Sequence, residues 1–377
     1  MGFLGGVGSY LVPFLVVLTV LVFVHELGHY LVARWAGIQI NVFSIGFGPE
    51  LFGFNDRRGT RWRLSAFPIG GYVQMFGDQD AASTPGAAVA TMTPEERAVS
   101  LFHQPLAWRA AVSVAGPAAN FIFSLVVLAL LFTFVGEPFT PASVGSIQPG
   151  SAAEAAGMRP GDLFVEINGR PIERFEDVQQ IVRDHAGVAL SVVMLRDGQR
   201  VSLTATPKMT DTTDRFGHVY HIGLLGVGGA SAVFVTRDPA TALWEAGRNT
   251  VHLTVGILDT VGQVISGSRS TEEFGGPLRI AQMSGEVAQN GITSLIYFMA
   301  VLSVNLGLIN LFPIPILDGG HLLFYAIEAV CGKPLGLRAQ EYGFRIGLAL
   351  VLTLMIFVTW NDLVQLHVVA FFRDLIS

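Results

Sequence analysis

The apolar run from Tyr10 to Ala33 is interrupted by His25-Glu26-Leu27-Gly28-His29, and this combination constrains the chain more than any other feature. The run is long enough to cross a bilayer as a helix. Helical residues four apart share a face and lie about 6 Å apart along the axis. His25 and His29 can therefore turn two imidazoles towards one metal ion while Glu26 reaches its bound water. Ionisable groups at bilayer depth are costly unless something offsets them. The first span must find partners elsewhere in the chain.

Four runs have the required length and apolarity, at about 8 to 33, 107 to 135, 292 to 317 and 343 to 369. With 51% hydrophobic and only 14% charged residues in 377, the composition is that of a multi-span membrane protein. The net charge of -6 is unclustered and points to no nucleic-acid partner. Cys331 stands alone, so an internal disulfide is excluded. The N-terminus lacks a basic n-region, and its apolar run reads as a retained span. Arg34, Arg57, Arg58, Arg61, Arg63, Arg97 and Arg109 lie between the first two runs, and Lys333, Arg338 and Arg345 follow the third. The positive-inside bias makes both connections cytoplasmic and puts the termini and the 136 to 291 segment outside.

Between the spans the pattern changes. Val42 to Gly77 alternates apolar residues with glycines and reads as short strands with tight turns, either as a cytoplasmic hairpin or as a loop dipping into the membrane. Asp78 to Glu96 reads as a mobile linker. The second run carries Gly116-Pro117-Ala118-Ala119-Asn120, where proline bends the helix and small residues admit a neighbour. Asn120 suits packing and chemistry equally.

Val144 to about Pro207 reads as a compact soluble unit: a strand at 144 to 147, a short helix ended by Gly157, a strand Leu163 to Ile167 and an Asn168-Gly169 turn. A helix Phe175 to Asp184 and two strands joined by Asp197-Gly198 follow. Residues 239 to 290 read as helices at the membrane surface, with Gly275-Gly276-Pro277 as a break.

A catalytic zinc site needs a third protein ligand. The third run ends in Asn310-Leu311-Phe312-Pro313-Ile314-Pro315-Ile316-Leu317-Asp318-Gly319-Gly320-His321, with Asn305 before it. Two prolines make a continuous helix improbable, and unwound backbone at membrane depth must line a cavity. A lone aspartate at mid-span costs roughly 2.5 to 3.5 kcal/mol on insertion scales, which a bound dication would offset. Ligand chemistry alone leaves Asp318 and His321 both open.

The order Gly-Ser-Ala-Ala-x-Ala-Ala-Gly-Met-x-Pro-Gly-Asp within 150 to 162 resembles a PDZ domain of bacterial envelope proteases. The two motifs on separate spans, together with the Gly-rich segment and the PDZ-like unit, resemble the site-2 protease family of intramembrane zinc metalloproteases, in its bacterial RseP-like branch. One PDZ domain stands here where RseP carries two.

The resemblance implies an α-helical integral membrane protein. Four transmembrane helices would carry a re-entrant β-loop and an inserted α+β PDZ domain. The implied divisions are 1–35, 36–106, 107–135, 140–208 (PDZ), 209–291 (membrane-surface amphipathic helices), 292–320 and 343–369. It makes His25, His29 and Asp318 the zinc ligands and Glu26 the general base. Asn305 and Asn310 would hold the substrate, and Phe67, Ile69, Gly70, Gly71, Tyr72 and Val73 would receive it as an added strand. The expected substrates are single-pass membrane proteins, such as a pre-cleaved anti-sigma factor, or signal peptides, with the PDZ unit taking the exposed C-terminus of a trimmed substrate. The expected location is the bacterial inner membrane, with termini and PDZ unit periplasmic and the site towards the cytoplasm. The rivals are a non-catalytic membrane-anchored PDZ adaptor, against which the complete set of ligands and base speaks, and a zinc-dependent lipid hydrolase, which has no use for a peptide-binding domain.

Overall fold

The computed structural model describes residues 3–78, 91–213, 219–231, 233–267 and 275–365. Much of the expected linker, at 79–90, and the end of the fourth run, at 366–369, lie outside the described residues. Two compact units emerge: one of 1–129, 243–258 and 272–377, the other of 130–242 and 259–271.

The chain opens with α1 (Phe3–Trp35), then β1 (Ile40–Asn55), β2 (Arg61–Met75), α2 (Pro94–Val99) and α3 (Leu106–Phe134). Within the expected linker, α2 is a correction: Thr93 and Glu96 close a reciprocal capping box that holds this turn in place. Next come β3 (Glu137–Phe139), β4 (Val144–Ile147), α4 (Ala152–Ala155), β5 (Leu163–Ile167), β6 (Arg170–Pro171) and α5 (Phe175–Asp184). Strands β7 (Leu190–Arg196), β8 (Gln199–Ala205), β9 (Lys208–Thr213), β10 (Val219–Leu224), β11 (Val227–Gly229) and β12 (Val233–Val235) follow. Helices α6 (Pro239–Ile265), α7 (Pro277–Gln289), α8 (Ile292–Asn310), α9 (Asp318–Cys331) and α10 (Leu337–Gln365) complete the chain.

Four helical stretches among the described residues are long and apolar enough to span a membrane: Gly8–Trp35, Leu106–Phe134, Ile292–Asn310 and Arg338–Val364. The chain is a multi-pass membrane protein. The third stretch is shorter than the run of 292 to 317, because the chain leaves the helix after Asn310 and restarts at Asp318. Pro313 and Pro315 have no amide to donate, which breaks the hydrogen-bond ladder there.

In the helical unit, α1, α3 and α8 approach through small residues, as helices in lipid do. A Cβ on Gly28 would come within 2.2 Å of the Ala115 carbonyl oxygen on α3. Val17, Leu21 and Leu295 are buried between α1 and α8, with Phe123, Leu302 and Leu306 packed on them. At the other end of α1, Ala33, Ile38, Ile40, Phe43, Val73, Met75, Leu101 and Val112 form a second core that pins the β1–β2 sheet.

That sheet is folded on itself. Residues 42–45 pair with 71–74 on one side and with 61–64 on the other, and 50–55 pair with 61–65. Gly46, Gly48 and Gly70 take positive φ, where the strands bend. Among the described residues no strand pairs with the outer edge of 71–75.

The other unit has a four-stranded sheet in the order β6-β5-β7-β8, with β4 paired to β11, β3 to β12 and β9 to β10. Its core includes Val144, Phe164, Ile167, Val178, Leu190, Val192, Met194 and Leu225. Arg196 grips buried Asp162 through both carboxylate oxygens at 2.8 and 2.7 Å, and this pairing holds the Asp162 carboxyl below its usual range. Arg174 and Arg237 both bind buried Glu137.

The expected boundary of this unit at 208, with 209–291 wholly helical, is corrected by the strands β9 to β12. Leu225 completes the core and β11 completes the pairing of β4, so the fold closes only after residue 229. Helical structure begins at Pro239, where Asp238 caps α6 by accepting from the Ala240 and Thr241 amides.

Candidate metal centre

His25 and His29 lie one turn apart on α1, and Asp318 opens α9. His25 Nε2 is 3.2 Å from Asp318 Oδ2, His29 Nε2 is 3.4 Å from Asp318 Oδ1, and the two Nε2 atoms are 3.2 Å apart. All three side chains are largely buried. Donors placed tetrahedrally at ordinary Zn–N and Zn–O lengths stand about 3.3 Å from one another. The observed spacings match that figure. Asp318 Oδ2 is moreover buried with no hydrogen bond of acceptable geometry, an orphaned polar atom that a cation would satisfy. The residues present fit a zinc ion.

The break between α8 and α9 puts Asp318 there. Ile316 holds a positive φ of 109°, a strained conformation for a β-branched residue. The two glycines after Asp318 make this turn possible. A Cβ on Gly319 would meet the Leu311 and Phe312 carbonyl oxygens at 2.3 Å, and one on Gly320 would meet the Ile314 oxygen at 2.4 Å. The unwound segment thus folds directly against the first turn of α9.

A cavity of 180 Å³ opens at the three side chains and is lined also by Glu26, Val73, Asn310 and His321. Glu26 stands next to the cluster, beside the outer row of the β1–β2 sheet: a Cβ on Gly71 would approach its Cγ to 3.4 Å. Asn310 reaches the cavity with its amide nitrogen on the Leu306 carbonyl at 3.0 Å. Asn305 is half-buried on the same helix and does not line it. His321 lines the cavity with its ring against Tyr325 and Phe344, outside the group of three converging donors.

Gly71 and Val73 border the site, whereas Tyr72 stacks on Phe47 and Phe67 is exposed away from the cavity. Gly70 packs against the Phe47 ring. Ile69 belongs to β2, and its side chain lies outside the described residues.

Two further groups meet the imidazoles. His29 Nδ1 is 2.8 Å from the Val112 carbonyl oxygen, and His25 Nδ1 is 3.1 Å from the Asn120 side-chain amide. Both partners are on α3, and Gly116 between them is a contact as well, since a Cβ there would lie 2.2 Å from His29 Nε2. A backbone carbonyl leaves no trace in side-chain identity. Gly116 and Asn120, four apart on one helical face, did carry a signal.

The fold and site define a membrane-embedded metalloprotease. The chain belongs to peptidase family M50, the site-2 protease family of zinc-dependent proteases, whose family model matches residues 13–354. Its relatives include a protein of Agrobacterium fabrum provisionally named a zinc metalloprotease, 47% identical over 97% of both chains. Metalloprotease MmpA of Caulobacter vibrioides is 37% identical, covering 97% of this chain and 98% of its own. Among solved structures, the PDZ domain of an SdrC-like protein from Listeria monocytogenes aligns with 25% of this chain and 92% of its own, at 16% identity and a TM-score of 0.19.

Proposed function

We propose that the chain cleaves peptide bonds within or near the transmembrane segments of single-pass membrane proteins, with His25, His29 and Asp318 holding zinc and Glu26 acting as general base. The observation that carries this reading is the meeting of two α1 imidazoles with the α9 carboxylate, at tetrahedral donor spacings, among helices apolar enough to span a bilayer. When bound, zinc polarises the scissile carbonyl and acidifies the attacking water. Glu26, beside the cluster, takes the proton from that water and returns it to the leaving amine nitrogen.

A helical substrate hides its amides in its own hydrogen bonds and has to be extended before attack. The outer row 71–75 supports that step, because among the described residues no strand pairs with its outer edge, which runs past Glu26, and a strand added there would compete with the Asp78 carboxylate for the Met75 amide. Asn310 holds the extended peptide at the cavity, and Asn305 meets it further along α8. The β1–β2 sheet acts as the re-entrant β-loop, a role favoured by the exposed Phe47, Leu51, Phe52, Phe54 and Phe67.

The Arg-rich connection supports a bacterial inner-membrane location with the sheet and the site towards the cytoplasm and the termini and the 130–242 unit periplasmic. Read as a PDZ domain, that unit takes the exposed C-terminus of a trimmed substrate, such as a pre-cleaved anti-sigma factor. Its groove between α5 and the 223–227 segment, bordered by Phe175, Val178, Val182 and Val227, supports this role. Signal-peptide remnants are a second substrate class.

Glu26→Gln is expected to keep zinc and fold while cleavage of a membrane-spanning reporter drops by about 10²- to 10⁴-fold. Cleavage at the wild-type rate overturns the proposal.

A further inference from the structure

Resting on the zinc reading above, we infer that Asn120 is a positioning residue that holds His25 in the one tautomer able to bind the metal. A neutral imidazole has one N–H and one lone pair, so Nε2 can face the metal with its lone pair only if Nδ1 carries the proton. For His29 the arrangement is settled by the Val112 carbonyl, a pure acceptor 2.8 Å from Nδ1. For His25 the partner is an amide, which can accept or donate. With Nδ2 towards the ring at 3.1 Å, Nδ1 would have to accept, and the proton would sit on Nε2, towards Asp318 and His29. In that orientation Asn120 Oδ1 is buried with no hydrogen-bond partner.

Amide oxygen and nitrogen are interchangeable by a half-turn of the side chain. The turned amide sets Oδ1 to accept from Nδ1–H, which frees Nε2 for the metal. It also swings Nδ2 to the side that Oδ1 occupied. One turn along the same face of α3, Ser124 Oγ is likewise buried without a partner.

The position of Asn120 is itself fixed from α8. Asn120 is fully buried, and the Ser303 hydroxyl donates to its backbone carbonyl at 2.9 Å. A Cβ on Gly307 would come within 3.2 Å of Asn120 Cβ. The second span therefore serves both imidazoles from one side. Gly116 leaves room for His29, Val112 orients it, and Asn120 orients His25.

Removing an outer partner of a metal-bound imidazole typically weakens metal affinity about 10- to 100-fold. The test uses the purified full chain in detergent, zinc affinity by chelator competition, and thermal unfolding with and without zinc. Asn120→Ala is expected to lose affinity by that factor and to shrink the zinc-induced rise in unfolding temperature, with the zinc-free unfolding temperature close to wild type. If the zinc-free protein is destabilised while zinc affinity is retained, Asn120 only packs and the inference is overturned.

Asn120→Asp offers acceptors and no donor, so it is expected to keep wild-type affinity and the wild-type absorption bands of a cobalt-substituted site. A tenfold loss there would show that the amide donates, and it overturns the inference even if Asn120→Ala does not fold. Wild-type protein without stoichiometric zinc removes the zinc reading itself, an outcome distinct from a variant that binds like wild type.

Discussion

The two units differ in how they treat their buried carboxylates: Asp362 of the helical unit accepts from the Gly276 and Arg279 amides, but Asp318 does not share that arrangement. In the 130–242 unit, buried Asp162 is gripped by Arg196 through both oxygens, and buried Glu137 by Arg174 and Arg237. In the helical unit, Asp318 Oδ2 is buried 3.2 Å from His25 Nε2 without a hydrogen bond of acceptable geometry, and the two imidazole Nε2 atoms stand 3.2 Å apart. An unpaired buried polar atom costs stability in any surroundings. Among the described residues such atoms lie in the helical unit, and the one at Asp318 marks a place organised around something the chain does not itself supply.

Asp318→Asn strikes that difference hardest. It should abolish stoichiometric zinc and reduce cleavage about a thousandfold or more, while hydrogen exchange across β5, β7 and β8 stays as in wild type. Altered exchange in those strands would show that the two units do not respond separately. Arg196→Met is the converse and a smaller effect. It strands the Asp162 carboxylate, so exchange protection in β5 and β7 should fall roughly ten- to a hundredfold, with zinc content measured by metal analysis unchanged.

The smallest effect belongs to Asp56, in the turn between β1 and β2. Burial pushes its carboxyl up, but hydrogen bonds from the Thr60 and Arg58 amides, the Tyr30 hydroxyl and the Trp62 indole outweigh burial and bring it down to about 2. A carboxyl lowered on folding contributes stability above its unfolded value of about 3.9, and that stability is lost as the pH falls towards 2. Asp56→Asn should therefore flatten the acid sensitivity of unfolding between about pH 4 and 2. An unchanged acid limb would mean that this turn does not hold the sheet to α1.

How much of this was legible in the chain follows from the range of each interaction. Helix α5 runs from Phe175 to Asp184 as its local pattern predicts, because its apolar positions and acidic first turn are all local. The break after Asn310 was legible in Pro313 and Pro315. Strands β9 to β12 were not, since Lys208 to Thr213 is polar and acquires its meaning only by pairing with residues further along. The doubled register of β1 is a tertiary fact too, with 42–45 serving two partners at once. Asn120 could be noticed as a polar residue in a span, but its partner lies 95 positions away, and only the fold brings them together.

The unwound turn before α9 also bears on how the protein is made. His25, Glu26 and His29 enter the membrane early in synthesis, whereas Asp318 follows about 290 residues later, roughly 15 to 60 s at ordinary elongation rates. Until the strained Ile316 turn forms, the newborn chain lacks the carboxylate opposite its imidazoles. The group of three converging donors therefore stays incomplete through most of the synthesis of this protease.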